Sequence, residues 1–329
     1  MSKIKRRVLL GASLAVPFIA GRAQAQATRL RLAHPHPDSD SWNTATRLFA
    51  EQLRERTNGA LIVQVFGNGA LGSDPTTIAA ARGGTLDIVL TGNPFFTGLA
   101  PKLNVLDLPF LFRDRRHVTA VMDGEIGRGL LTELEPHGLT GLGLWDIGFR
   151  NVTNSRRPVN VAADLRGLKI RTTPNPAHIR AFQLLGANPL PMPFTELFTA
   201  METRAVDGQE NPTTLIRNAR FYEVQRHLSL TRHAYTAGIL AMNKRRFDSL
   251  SPAHREAVLA VAASIAPQQR QMNEGADAEA LAELKSHGML VVEAPDRDGL
   301  AAVVAVPVRR DFTERFGVAL PDAISATGA

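Results

Sequence analysis

Residues 165–212 read LRGLKIRTTPNPAHIRAFQLLGANPLPMPFTELFTAMETRAVDGQENP and alternate three short extended runs with two helical ones. A strand over 167–172 ends on Arg171. Pro174 and Pro176 close it, and Asn175 caps a helix with Pro176 in its first turn. Ile179, Phe182 and Leu185 give that helix an apolar face, and Gly186 stops it. Residues 188–192 are extended, and Leu197, Phe198 and Met201 mark a second helix. Residues 205–208 form a third strand, and Asn211-Pro212 opens a third helix. Strand, helix, strand, helix, strand at this spacing builds a parallel sheet with right-handed crossovers.

In open sheets of this kind ligands sit beyond the carboxyl ends of the strands, where Arg171 and Asn211 both fall. Arg171 offers a planar, permanently charged fork that suits a carboxylate. Asn211 places an amide beside a helix N-terminus, where backbone N–H groups favour an anion. The plainer alternative pairs Arg171 with a nearby Asp or Glu and leaves Asn211 as a cap.

The chain has 329 residues, 38 basic and 31 acidic, and no cysteine. That length suits one large two-lobed domain or two domains with ample core. Without cysteine there are no disulfides and no thiolate metal sites. Lys3, Lys5, Arg6, Arg7 and Arg22 account for five of the basic residues, so beyond residue 25 the balance is 33 against 31. A nucleic-acid reading thereby loses its electrostatic footprint. Residues 1–25 read as a cleavable signal peptide: basic residues, an apolar run over 8–20 too short to span a bilayer, and Ala23-Gln24-Ala25 as cleavage site, with Ala25-Gln26-Ala27 as fallback. Arg6-Arg7 points to twin-arginine export, while Lys5, where Ser or Thr usually stands, leaves general secretion open. The location expected is periplasmic.

A second block of the same rhythm precedes the first. Residues 30–33, 61–66 and 86–91 are expected as strands. A helix carrying Trp42, Ala45, Leu48, Phe49 and Leu53 lies between the first two, and another helix follows Asp74. Gly67-Asn68-Gly69-Ala70-Leu71-Gly72 fits GxGxxG, but it follows the second strand, and Asp74 stands where pyrophosphate would sit. A plain glycine turn explains it better than a dinucleotide site. Further on, residues 103–112 are expected as strand and turn, 139–146 as an apolar strand, 221–228 as helix and 235–243 as strand. A long helix from Ser251-Pro252 should kink at Pro267, another over 297–316 should break at Pro307, and the tail after Pro321 should be loose. Arg150, after the 139–146 strand, is a second candidate carboxylate ligand, or else a solvated surface residue. His34-x-His36 has metal-ligand residue types, but Pro35 intervenes and no acid pair stands near. Glu196 and Glu210 read as helix and cap residues sooner than as acid/base groups. No GxSxG, HExxH, CxxC or Walker loop occurs.

The run GLKIRT…LGANPLPMPFTELFTAM…AVDGQENP resembles the core motif of the solute-binding proteins of tripartite ATP-independent periplasmic (TRAP) transporters, the DctP family. GFRNVTNSRRPV at 148–159, ALGSD at 70–74, LDLPFLF at 106–112 and FYEVQRHLSLTRHAY at 221–235 are similar to that family too, so the likeness covers nearly all of the mature chain. It implies an α/β fold of the periplasmic binding protein type, a type II-like flytrap. Each of its two lobes holds a mixed, mostly parallel sheet flanked by helices, and a long kinked helix spans both. Lobe I would comprise 28–147 plus 237–276, and lobe II 148–236 plus 277–329. The resemblance places a ligand carboxylate on Arg171, with Asn211 hydrogen-bonding it, Arg150 assisting and Phe194 packing on the ligand. It brings Asp74, Asn93 and His34 to the cleft from lobe I, and Tyr235 to its far side. Some relatives carry a glutamate where Gly92-Asn93 stands here. The implied function is capture of an organic acid for delivery to a TRAP membrane permease by a monomer without cofactor, metal or catalysis. Two arginines with Asn and Asp suit a hydroxylated carboxylate, which favours a sugar acid such as a hexuronate or aldonate. A C4-dicarboxylate or another keto or hydroxy acid is the alternative. A secreted enzyme acting on a carboxylate is the rival class.

Overall fold

The computed structural model describes residues 27–328, so the signal peptide expected over 1–25 lies outside the described residues. In the first half, β1 (Thr28–Ala33) and β2 (Leu61–Phe66) pair in parallel along their full length, joined by α1 (Ser41–Arg56). Asp40 caps α1 by accepting from the Trp42 N–H, and Trp42, Ala45, Phe49 and Leu53 form its buried stripe. After α2 (Asp74–Gly83), β3 (Ile88–Gly92) pairs in parallel with the other edge of β1. A 3-10 segment (Pro101–Asp107) and the short helices α3 (Arg115–Asp123) and α4 (Glu125–Thr132) lead to β4 (Leu139–Asn154).

The second half repeats the rhythm with β5 (Lys169–Thr172), α5 (Pro176–Leu184), β6 (Asn188–Pro191), α6 (Leu197–Glu202), β7 (Gly208–Asn211) and α7 (Thr213–Asn218). β5 lies between β6 and β7, parallel to both. β8 (His227–Asn243) then runs back antiparallel to β4. The chain ends with α8 (Lys244–Asp248), α9 (Pro252–Ser286), β9 (Leu290–Val292), α10 (Arg297–Phe316) and α11 (Ala319–Ala326). Among the described residues no helix is long and apolar enough to cross a membrane.

The strand order β2-β1-β3-β8-β4-β7-β5-β6, with β9 beside β8, shows how the halves connect. The first half hangs on residues 238–242 of β8, and the second on residues 151–154 of β4. Between those attachments the β4–β8 ladder breaks register three times, at Gly141/Gly143, Asp146/Gly148 and Arg150/Val152. Bulges of this kind bend a strand pair and re-aim its side chains. Gly148 sits at the middle break with φ +125°, and a Cβ there would lie 3.2 Å from the Pro212 ring. Two crossing strands thus join two α/β units. One apolar cluster runs from Phe96 and Leu103 in the first unit to Ile170, Phe182 and Phe312 in the second.

Several sequence expectations are corrected. α9 is one 35-residue helix through Pro267, not two segments. Pro267 and Ala263, whose carbonyl it deprives of a donor, are exposed, while Ile265, Ala266, Gln269 and Arg270 are buried on either side. Packing overrides the local break where the freed carbonyl can meet water. α10 likewise continues through Pro307. Residues 103–112 hold 3-10 backbone where strand was expected, because a short apolar run does not distinguish the two. Residues 221–228 hold only one 3-10 turn, and β8 begins at His227, where pairing with Leu290 and Asn154 recruits it. β7 lies three residues beyond the expected 205–208, and the tail past Pro321 is helical, with Pro321 and Ile324 buried.

Candidate functional site

The carboxyl ends of the strands in both units converge on one enclosed cavity. β5 brings Arg171, β7 brings Asn211, the bent part of β4 brings Ile147 and Arg150, and β3 ends there on Gly92. Asp74 at the start of α2, Phe194, Thr173, Thr236 and Leu215 complete the lining, with His36 from the segment after β1. The cavity measures about 20 Å³, room for a water molecule or so. A larger hollow of about 240 Å³ between α5 and α10 has its Arg180 and Asp311 paired with each other at 3.1 Å.

The two arginines at this cavity are in opposite electrostatic situations. Arg150 is 1% exposed and grips Glu210 with a two-pronged contact: Nε donates to Oε2 and Nη2 to Oε1 at 2.8 Å, while Nη2 also donates to the Glu210 carbonyl at 2.5 Å. His233 Nε2 lies 3.3 Å from the same carboxylate. Burial pushes the Glu210 carboxyl up, but Arg150, with His178 and His233 adding to it, holds it well below the usual carboxylate range. Arg171 is also 1% exposed, yet it has no carboxylate in ion-pairing range among the described residues. Its Nε and Nη2 donate to the Met192 carbonyl at 3.0 and 2.6 Å, and Nη1 has no protein partner among the described residues. Burial lowers its pKa to about 10, so it remains a cation at neutral pH. The ion pair that plain pairing would assign to Arg171 belongs to Arg150.

Asn211 donates to Gln209 Oε1 at 2.6 Å, and Gln209 donates to Thr153 at 2.9 Å, which fixes the Asn211 amide. Asp74 accepts from Thr91 Oγ1 at 2.5 Å and, across the two units, from the Phe194 N–H at 3.0 Å. The Phe194 ring lies 5.3 Å from His36 and 5.9 Å from Phe221, centroid to centroid. The glycine turn over 67–72 also meets the second unit, for a Cβ on Gly69 would lie 2.8 Å from the Thr195 methyl.

Of the eight residues singled out in the sequence, Arg171, Asn211, Arg150, Phe194 and Asp74 line the cavity, and Asn93, His34 and Tyr235 do not. Asn93 turns away from it to donate to Asp107 Oδ2 at 2.5 Å and to the Leu103 carbonyl at 2.9 Å. Tyr235 donates to Asp146 Oδ1 at 2.5 Å and packs edge-on against Phe112 and Phe149. His34 is enclosed with neither ring nitrogen partnered, and burial lowers its pKa to about 4. The lining positions are their neighbours Gly92, Thr236 and His36. Thr173 and Leu215, which the sequence did not single out, belong there too.

Behind the cavity, buried Asp107 accepts from Asn93, from Asn175 Nδ2 at 3.0 Å and from Thr236 Oγ1 at 2.9 Å, with His178 Nε2 at 3.7 Å. Asn175 is the cap of α5, so this carboxyl ties both units to a residue of the cavity wall.

These groups make two predictions. Arg150→Met leaves Glu210 buried without its partner and should cost about 3–5 kcal/mol of stability. Thermal and urea melts check this, and an unchanged midpoint would contradict it. The second concerns pH. Burial raises Asp107 to about 7, and lowers His34 to about 4 and His178 to about 3. A carboxyl raised above its unfolded value of about 3.9 stabilises the fold below that value and loses the contribution as pH climbs through about 7. The two histidines, lowered from 6.5, act in the opposite sense and add stability as pH rises from about 4 to 6.5. Asp107→Asn removes the opposing slope. Its melting temperature should therefore climb more steeply with pH than the parent's across about pH 4.5 to 6.5, and parallel slopes would contradict the raised Asp107.

Comparison with known proteins agrees with this geometry. The family model described as bacterial extracellular solute-binding protein, family 7 (DctP), matches residues 32–313. The chain is 41% identical over 274 residues to the 2,3-diketo-L-gulonate-binding periplasmic protein of Escherichia coli, covering 83% of this chain and 84% of that one. A TRAP periplasmic solute-binding protein from Polaromonas sp. JS666, solved with D-erythronate bound, superposes with a TM-score of 0.89 at 37% identity, covering 92% of this chain and 99% of that one. The sugar acid binding protein of Advenella mimigardefordensis, solved with galactonate, gives 0.88 at 36% identity, with 92% and 97% coverage. The matched span, the doubly wound units and the cavity at their strand ends place the chain in the DctP family of TRAP transporter solute-binding proteins.

Proposed function

We propose that this chain captures a hydroxylated monocarboxylic acid of the sugar-acid class outside the cytoplasm and delivers it to a TRAP membrane permease, binding without turnover. The observation that carries this reading is Arg171, a buried guanidinium whose only protein partner among the described residues is a carbonyl. A cation withdrawn from water needs an anion, and Nη1 faces the cavity to receive one. Arg150 is already paired with Glu210, so it orients the site and leaves Arg171 as the guanidinium open to a ligand carboxylate. Asn211 supplies the neighbouring amide, Phe194 the apolar floor and Asp74 an acceptor for hydroxyl groups. Asn93, His34 and Tyr235 support the wall from behind. The relatives with 2,3-diketo-L-gulonate, erythronate and galactonate in their names all take hydroxylated monocarboxylates, in keeping with one free cation here.

A cavity of about 20 Å³ is far below the roughly 300–1,000 Å³ of small-molecule sites. The units must therefore separate to admit a six-carbon acid and close over it. The breaks in β4 and β8 support a hinge between a lobe I of 28–147 plus 237–276 and a lobe II of 148–236 plus 277–329. The signal peptide over 1–25 directs the chain to the periplasm.

Arg171→Ala should remain folded, because Arg171 stabilises no internal carboxylate, and should lose about 30-fold to several thousand-fold in affinity for the cognate acid, as removal of one partner of a buried charge pair typically costs roughly 2–5 kcal/mol. Arg171→Lys should bind poorly as well, since an ammonium cannot reproduce the fork. Calorimetric titration beside a thermal melt tests both halves. Near-parental affinity in folded Arg171→Ala protein would overturn the assignment.

A further inference from the structure

His36 occupies a built position that the carboxylate-binding reading does not use. Its ring stacks on Trp42 with centroids 3.8 Å apart and planes 7° from parallel. Nδ1 lies 3.1 Å from Asp40 Oδ1. That carboxylate is buried and also accepts from the Trp42 N–H at 3.0 Å and from Asn218 Nδ2, in the second unit, at 3.1 Å. Burial pushes the Asp40 carboxyl up, but His36 and these donors outweigh it and keep it below its usual value. An ionised carboxylate can only accept, so the proton on the His36 ring sits on Nδ1. In the neutral imidazole Nε2 then carries a lone pair. It has no protein partner among the described residues and is not sealed in, as the nitrogens of His34 are, and His36 lines the same cavity as Arg171.

The geometry points to His36 as the group that selects a hydroxyl-bearing acid: Nε2 accepts a hydroxyl hydrogen from the ligand chain, while Arg171 holds the carboxylate. This rests on the carboxylate-binding reading above. A ligand hydroxyl can donate to that lone pair, whereas a second carboxylate offers only lone pairs of its own and is turned away. Asp40 acts as a positioning residue that fixes the tautomer. Because Asn218 reaches Asp40 from the other unit, the ring is fully held only when the units are closed.

The test compares D-galactonate with succinate by calorimetric titration of parent, His36→Phe and Arg171→Ala proteins. Phenylalanine retains the stack on Trp42 and lacks the nitrogen. The parent should prefer galactonate, and His36→Phe should lose about tenfold of that preference, the worth of one hydrogen bond. Arg171→Ala should lose both acids. An unchanged galactonate-to-succinate ratio in His36→Phe, with binding still abolished in Arg171→Ala, overturns the role of His36 and leaves that of Arg171 standing. A parent that binds neither acid overturns both. Nitrogen-15 NMR of histidine-labelled parent protein gives a readout that does not depend on the variant folding. On adding galactonate, the His36 Nε2 resonance should shift as an accepting nitrogen while Nδ1 stays protonated. A proton on Nε2 in the complex would overturn the proposal.

Discussion

A buried guanidinium without a carboxylate is the constraint on which the rest of this structure depends. Arg150 and Arg171 are equally enclosed, yet only Arg150 has a protein anion, Glu210. Were Glu210 shared between them, Arg171 would have a counter-ion of its own and its attraction for an acid would fall. The bidentate grip of Arg150 prevents sharing, and the Met192 carbonyl takes two of the Arg171 nitrogens and leaves the third. The fold thus stores an unmet charge at a fixed place and orientation, as selective recognition of a carboxylate requires.

Holding that charge in place is the work of the crossing strands. At the bend in β4 the Asp146 carboxylate accepts from Tyr235, from Arg115 at 3.1 Å and from Asn273 at 2.9 Å. Its backbone is tied to Gln269 and to the Trp42 indole. Strand, helix α9 and first-unit core therefore meet one residue before Ile147 lines the cavity. Opposite, Asp74 and Asp40 accept donors from the second unit. Each is an accepting carboxylate of the first unit meeting a donor of the second.

Much of this was legible in the sequence. The βαβαβ rhythm gave both units, and Arg171 and Asn211 were placed by falling at or beyond the carboxyl ends of their strands. Where legibility failed, it failed by one or two residues for a physical reason. Successive strand residues face opposite sides. Tyr235 therefore points to Asp146 while Thr236 meets the cavity, and Gly92 lines it while Asn93 turns to Asp107. His34 and His36 were indistinguishable by type. Only the fold shows the 67–69 turn bonded to the backbone of both and covering the first ring, with Asp40 and Trp42 aligning the second. Glu210 read as a cap residue because its partner lies 60 positions away. Pro267 and Pro307 misled for the converse reason, since packing on their flanks is invisible to a local rule.

The most direct measurement of the central claim needs no variant. Calorimetric titration of the parent protein with D-galactonate and with galactitol compares two six-carbon chains alike from C2 to C6 that differ at C1, a carboxylate in one and a hydroxymethyl group in the other. If an unpaired Arg171 drives binding, galactonate should saturate the site and galactitol should give no detectable heat of binding at the same concentrations. Comparable affinity for the two would contradict the account, for it would mean that hydroxyl contacts carry recognition and the buried charge needs no anion.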